Sequence, residues 1–167
     1  MEAVRMGVIG IGNMGTEHCK TLISDDITEL KLAAAADLRP ERREWARKNL
    51  PKSVRIFESG EELIHSGTCD AVLVAVPHYQ HPETAVSALR NGLHVLCEKP
   101  IAVTSGQARQ MLQAAEASGK TLALMFNQRT NCLYRKAYEL VHSGEFGALK
   151  RVTWIITDWY QIGRAHV

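Results

Sequence analysis

Apolar and polar positions follow two rhythms in turn along this chain. Short runs of aliphatic and β-branched residues alternate with stretches whose apolar positions recur at helical spacing. Residues 4–10 predict a first strand and residues 13–24 a helix. Residues 30–37 predict a second strand. Pro40 then opens a helix to about residue 50, since its missing N–H has no partner in a first helical turn. Residues 54–57 predict a short strand, and Ser59 with Glu62 has capping-box spacing for the helix that follows. Residues 71–76 are apolar throughout, which suits a parallel strand covered on both faces. Pro82 opens a further helix that Gly92 ends, and residues 93–97 predict the fifth strand. Thr104 and Gln107 form a second capping box for a helix to about Ser118, before Gly119. Residues 121–126 predict the sixth strand and residues 132–143 the last helix. Strands and helices in this alternation predict an α/β fold: a doubly wound parallel sheet with right-handed crossovers and helices on both faces.

The end of the chain departs from that rhythm. Residues 149–160 have strand composition, with Val152, Trp154 and Ile156 on one face and Arg151, Thr153, Ile155 and Thr157 on the other. A lone strand carrying tryptophans is an unpaired edge. The expectation is therefore a first strand of a second, α+β domain that is cut short. The domain division expected is 1–127 for the first domain, 128–161 for a connecting helix and first strand of the second, and 162–167 for a non-native tail.

Composition narrows the function classes. The chain has 167 residues, 46% hydrophobic and 23% charged, with 20 basic and 18 acidic residues and a formal net charge of +2. That balance gives no electrostatic reason to expect a nucleic-acid or anionic-membrane partner. The longest apolar stretches fall far short of the roughly 20 residues of a bilayer span. Residues 1–4 run straight into the first strand, so no cleaved leader is expected. Cys19, Cys69, Cys97 and Cys132 match no C-x-x-C spacing and are expected as reduced, mostly buried thiols of a cytoplasmic protein. No His, Asp or Glu cluster has metal-ligand spacing.

The first turn carries the chemistry. Gly10-Ile11-Gly12-Asn13-Met14-Gly15 matches G-x-G-x-x-G between a predicted strand and a predicted helix, the context that gives this pattern meaning. Gly10 permits a tight turn, Gly12 lets a pyrophosphate approach the backbone, and Gly15 lets helix and strand pack closely. The free N–H groups of the helix start favour an anion. This is the Rossmann arrangement for a dinucleotide. Asp37 closes the second strand about 20 residues later, where an acid accepts hydrogen bonds from the adenosine ribose. Its charge favours NAD over NADP. Arg39 could neutralise a 2′-phosphate, so NADP stays as the alternative. A turn-making or helix-capping role for Asp37 also stays open.

Ala75-Val76-Pro77-His78-Tyr79-Gln80-His81 leads through a helix and a strand to Glu98-Lys99-Pro100. With the glycine loop, these segments resemble the glucose–fructose oxidoreductase, inositol dehydrogenase and rhizopine-catabolism family (Gfo/Idh/MocA). Asn127-Gln128-Arg129 and Ser143-Gly144-Glu145-Phe146-Gly147 also look like family features, whereas Cys132 stands where members often have proline. The resemblance spans about residues 4–160. It implies a nicotinamide-dependent oxidoreductase acting on a sugar, cyclitol or related polyol, homo-oligomeric at full length. It also implies a cofactor site that draws on Val76, Pro77, His78, His81, Glu98, Lys99 and Asn127.

Lys99 is the expected catalytic residue. At a strand exit where the nicotinamide should end, its ammonium would bond the reacting oxygen or relay its proton. Without the resemblance it would read as a surface loop lysine. In the family, Glu98 lines the nicotinamide site and Pro100 fixes the turn. His81 fits either the cofactor site or a cap on the following helix. His78 borders the cofactor or simply lies in the loop, and His18 is expected to pack on the first helix. Trp154, Trp159 and Tyr160 look like core or interface residues of the second domain. The alternative function is a dinucleotide-binding sensor without catalysis, against which the retained Lys99 argues. The fragment alone is expected to bind NAD with little or no turnover.

Overall fold

The computed structural model describes residues 2–24 and 26–155. Six parallel strands form one sheet in the order β3-β2-β1-β4-β5-β6. They are β1 (Val4–Ile9), β2 (Leu30–Ala36), β3 (Arg55–Phe57), β4 (Ala71–Val74), β5 (His94–Cys97) and β6 (Leu122–Leu124). The helices are α1 (Asn13–Leu22), α2 (Pro40–Asn49), α3 (Gly60–His65), α4 (His81–Arg90), α5 (Ser105–Ser118) and α6 (Cys132–His142), with short 3₁₀ turns at His78–Gln80 and Asn127–Thr130. No helix among the described residues is long and apolar enough to cross a membrane.

The alternation of strand side chains builds two cores, one on each face of the sheet. Along β4, Ala71 and Leu73 join Met6, Val8, Leu32, Cys19 and Ala46 beneath α1 and α2. Val72 and Val74 point the other way, to Leu63, Ala85, Leu89 and Met111 under α3, α4 and α5. All four residues of β4 are buried, as the apolar run requires. The β1–β2 register shifts at Met6/Gly7, which pair with Leu32 and Ala34 and leave Ala33 as an extra residue. Ala33 and Ala34 therefore pack on the same side.

The two expected capping boxes have different outcomes. At α5 the box is complete: the Thr104 side chain accepts from the Gln107 N–H, and Gln107 Oε1 accepts from the Thr104 N–H at 3.2 Å. At α3 only half of it forms. The Ser59 hydroxyl accepts from the Glu62 N–H at 3.2 Å, but Glu62 Oε2 takes the N–H of Glu58, just past β3, at 3.0 Å. Several strands stop short of their expected ends. β1 ends at Ile9, β2 at Ala36 and β4 at Val74; the Gly10 and Ala75 N–H groups still donate to the Ala36 and Ile9 carbonyls at 2.8 Å, and the chain turns into loops from there.

The chain divides into two compact units, the first ending at Phe126 and the second starting at Asn127. In the second unit the Asn131 side chain caps α6 by accepting from the Leu133 N–H at 2.9 Å, so the helix starts at Cys132 without a proline. The strand expected over 149–160 is not seen in its described part. Residues 149–155 are irregular, because among the described residues no segment pairs with them to complete a ladder. Trp154 is 68% exposed and lies 5.6 Å from the Tyr134 ring, centroid to centroid. Trp159, Tyr160 and the 162–167 tail lie outside the described residues.

Cys19, Cys69 and Cys97 are buried and Cys132 is exposed. Burial pushes the Cys19 and Cys97 thiols up to about 12 and the Cys69 thiol up to about 11. Near pH 8 the three buried groups therefore hold almost no thiolate, the reactive form. Titration of the native chain with a thiol-disulfide reagent should give one fast equivalent, at Cys132, with the other three appearing only on unfolding.

Candidate functional site

The loop between β1 and α1 is built by its glycines. Gly10 has φ +93°, and a Cβ there would stand 2.7 Å from the Ala75 carbonyl oxygen at the end of β4. A Cβ on Gly15 would overlap the Gly10 carbonyl oxygen. Gly12 differs from both: a Cβ there would meet no atom within 4 Å. The space in front of Gly12 is therefore open, at the start of a helix that no side chain caps. The first-turn amides of α1 have no intrahelical acceptor and face that opening with the positive end of the helix dipole. Asn13 and Met14 are exposed beside it, and Ile11 is buried below.

Asp37 ties this loop to the end of β2. Its Oδ2 accepts from the Ile11 N–H at 2.7 Å and its Oδ1 from the Arg39 N–H at 2.9 Å. The second bond is the turn-making role left open by the sequence, and it coexists with the first. Arg39 Nε stands 3.5 Å from Asp37 Oδ1 and 3.9 Å from Glu41 Oε1, so two carboxylates share its charge. Arg43, from α2, fixes the same turn from behind by donating to the carbonyls of Asp37 at 3.0 Å and Leu38 at 2.7 Å. A cavity of about 580 Å³ opens above these strand ends, walled by Gly10, Asp37, Arg39, Gly60, Val76 and Pro77. It brings together residues from the ends of β1 and β2 and from the loops after β3 and β4. A larger groove of about 780 Å³ between α4 and α5 contains none of the expected site residues.

Further along the same edge, Glu98 and Lys99 follow β5. Glu98 is buried and Lys99 exposed, and the Lys99–Pro100 peptide bond is cis. Glu98 Oε2 accepts from the Lys99 N–H at 3.2 Å, and Glu98 Oε1 lies 2.7 Å from His18 Nε2. His18 thus reaches across to the strand edge, a role that helical periodicity did not suggest. His81 is only 1% exposed. Its Nδ1 lies 2.8 Å from the Pro100 carbonyl oxygen and its Nε2 2.9 Å from that of Val76. The ring is packed between two backbone carbonyls, to one of which a neutral imidazole donates, and it presents almost no surface to a ligand, unlike the cofactor contact expected of it. Nor does it cap α4, since it lies within that helix after Gln80. His78 is exposed against Tyr79, with ring centroids 4.0 Å apart. Asn127 opens the second unit in an exposed 3₁₀ turn, its carbonyl accepting from the Thr130 hydroxyl at 2.7 Å.

From the sequence, His18 is expected only to pack on its helix, and Arg43 and the Ser59–Gly60 turn carry no expectation of a place in the site. Only the last had a usable signal: strand order puts the end of β3 beside that of β2, so its following turn must border Asp37.

The sequence model of the family described as "Oxidoreductase family, NAD-binding Rossmann fold" (GFO_IDH_MocA) matches residues 4–126. The chain belongs to the Gfo/Idh/MocA family. It is similar to inositol 2-dehydrogenase 1 of Paenarthrobacter aurescens, 32% identical over 149 residues that cover 89% of this chain and 44% of that protein. Its fold is similar to scyllo-inositol dehydrogenase of Lactobacillus casei, crystallised with NAD(H) and scyllo-inositol. There the TM-score is 0.80 and the identity 30%, over 87% of this chain and 43% of that one. Myo-inositol 2-dehydrogenase of Lactobacillus plantarum gives a TM-score of 0.81 at 28% identity, with the same coverage. This Gfo/Idh/MocA chain spans less than half the length of these relatives.

The first two glycines of the loop separate by mutation. Gly10→Ala forces an alanine into a left-handed conformation against the Ala75 carbonyl and should cost about 1–3 kcal/mol of stability. Gly12→Ala should cost less than about 1 kcal/mol. Urea unfolding of both variants checks the contrast, and equal losses would contradict it.

Proposed function

We propose that this chain is the cofactor-binding part of a nicotinamide-dependent oxidoreductase that moves a hydride between NAD and a carbinol carbon of a sugar, cyclitol or related polyol. The observation that carries the reading is the open mouth before Gly12, bordered by the free start of α1 and by Asp37. An anion fits there because amides and the helix dipole face it and no side chain fills it. The inositol dehydrogenases among the relatives, one crystallised with NAD(H), support the cofactor and the substrate class.

In this reading the amides from Gly12 to Gly15 hold the pyrophosphate. Asp37 has lone pairs left beyond its two backbone bonds and accepts from the ribose hydroxyls. The carboxylates of Asp37 and Glu41, both beside Arg39, would repel a 2′-phosphate, which supports NAD over NADP. Val76 and Pro77 wall the cavity between the β1 and β4 ends, where the strand order reverses and dinucleotides cross such sheets. The bound nicotinamide supplies the hydride acceptor or donor. Lys99 is exposed just after β5, and in this reading its ammonium stabilises alkoxide character on the reacting oxygen and passes its proton on. Glu98 backs the Lys99 main chain. Residues from 127 onward lead towards the domain that supplies the substrate pocket.

Calorimetric titration of the chain with NAD tests the binding half, and no binding by the parent chain would overturn it. Asp37→Ala should lose about 1.5–3 kcal/mol of NAD affinity through its charge-assisted bonds. In a protein carrying the remaining length of the relatives, Lys99→Ala should lower kcat for polyol oxidation by about 10²–10⁴-fold, whereas unchanged turnover would remove Lys99 from the chemistry.

A further inference from the structure

Helix α1 makes a contact that core packing does not require. His18 and Glu98 are 80 positions apart in sequence, yet His18 Nε2 lies 2.7 Å from Glu98 Oε1, and their side chains are only 17% and 7% exposed. A carboxylate this deep needs donors in place of water. Glu98 has two, one on each oxygen: the His18 ring at Oε1 and the Lys99 N–H, at 3.2 Å, at Oε2. The main chain of Glu98 is itself fixed, because its N–H donates to the Val74 carbonyl at 2.9 Å. The carboxylate is therefore a bridge from α1 to the backbone of Lys99.

We propose that His18 is a positioning residue for Lys99. It holds the Glu98 carboxylate in the orientation that keeps the Lys99 amide bonded, and so sets the direction in which the Lys99 side chain leaves the strand end. This rests on the reading of Lys99 as the ammonium at the reacting oxygen. The short distance marks a charge-assisted bond, the kind that holds a carboxylate in one geometry. On the far side of Lys99, the Pro100 carbonyl packs against the buried His81 ring, 2.8 Å from Nδ1, so Lys99 sits between two fixed neighbours. His18 also belongs to the helix whose first turn forms the phosphate mouth. One rigid element thereby registers both the site proposed for the cofactor phosphates and the lysine proposed to serve the far end of the cofactor.

The test compares His18→Gln with His18→Leu in the intact chain. Both side chains fill space, but only glutamine can donate to Glu98. The readout is hydrogen exchange of the Lys99 amide by NMR, with the Ile11 amide, bonded to Asp37, as an internal control. In His18→Leu, exchange at Lys99 should rise about tenfold and at Ile11 stay unchanged. In His18→Gln, Lys99 protection should return to near the parent value. Equal Lys99 exchange in the Gln and Leu variants, or no rise in the Leu variant, would overturn the proposal. Should His18→Leu not fold, His18→Asn, too short to reach Glu98 from the same helix position, replaces it with the same two outcomes. The exchange measurement involves no nucleotide. Failure of the parent chain to bind NADH would therefore sink the dinucleotide reading separately, whereas unchanged Lys99 exchange sinks this one.

Discussion

Parallel pairing of all six strands is the constraint from which the rest of the first unit follows. It sends every strand's carboxyl end to one edge of the sheet and every return helix across a face. Residues far apart in sequence, such as Gly10, Asp37, Val76 and Glu98, then come to the same edge because each stands just after a strand. The order β3-β2-β1-β4-β5-β6 adds a reversal of direction between β1 and β4. There neighbouring connections part to opposite faces and leave a crevice. Close packing makes that crevice narrow: Gly10 sits against the Ala75 carbonyl with no room for a side chain.

Most of this architecture was legible in the sequence, for a physical reason. A strand buried on both faces must be apolar throughout, and a helix covering a sheet must be apolar on one side. Both signatures are local, so residues 71–76 and the stretch after Pro82 could be read directly. The clearest error in a strand end lies at the carboxyl edge, where Ala75 and Val76 continue the apolar run of β4 but line the cavity instead of extending the strand. Composition reports burial, and these residues are partly buried in the loop conformation as well.

The long-range polar contacts were not legible. His18 faces Glu98 only because α1 lies over the sheet at one particular angle, and no spacing within residues 13–24 encodes that. His81 shows the opposite case. A histidine beside a motif invited a ligand role, whereas burial gave it a backbone one. Residues 149–155 alternate like a strand, yet alternation describes a surface that can pair and does not supply the partner.

The double use of Asp37 bears on attempts to retune this fold. Exchanging the acidic residue after the second strand is the obvious way to make room for a phosphorylated adenosine ribose. Here the same carboxylate is also a staple, receiving one amide from the glycine turn and one from the start of the next helix. On the proposed reading of Asp37 as the ribose acceptor, a neutral replacement would widen coenzyme choice and slacken the turn together. A useful redesign would have to furnish a new acceptor for the Ile11 amide before selectivity and rigidity could be adjusted apart.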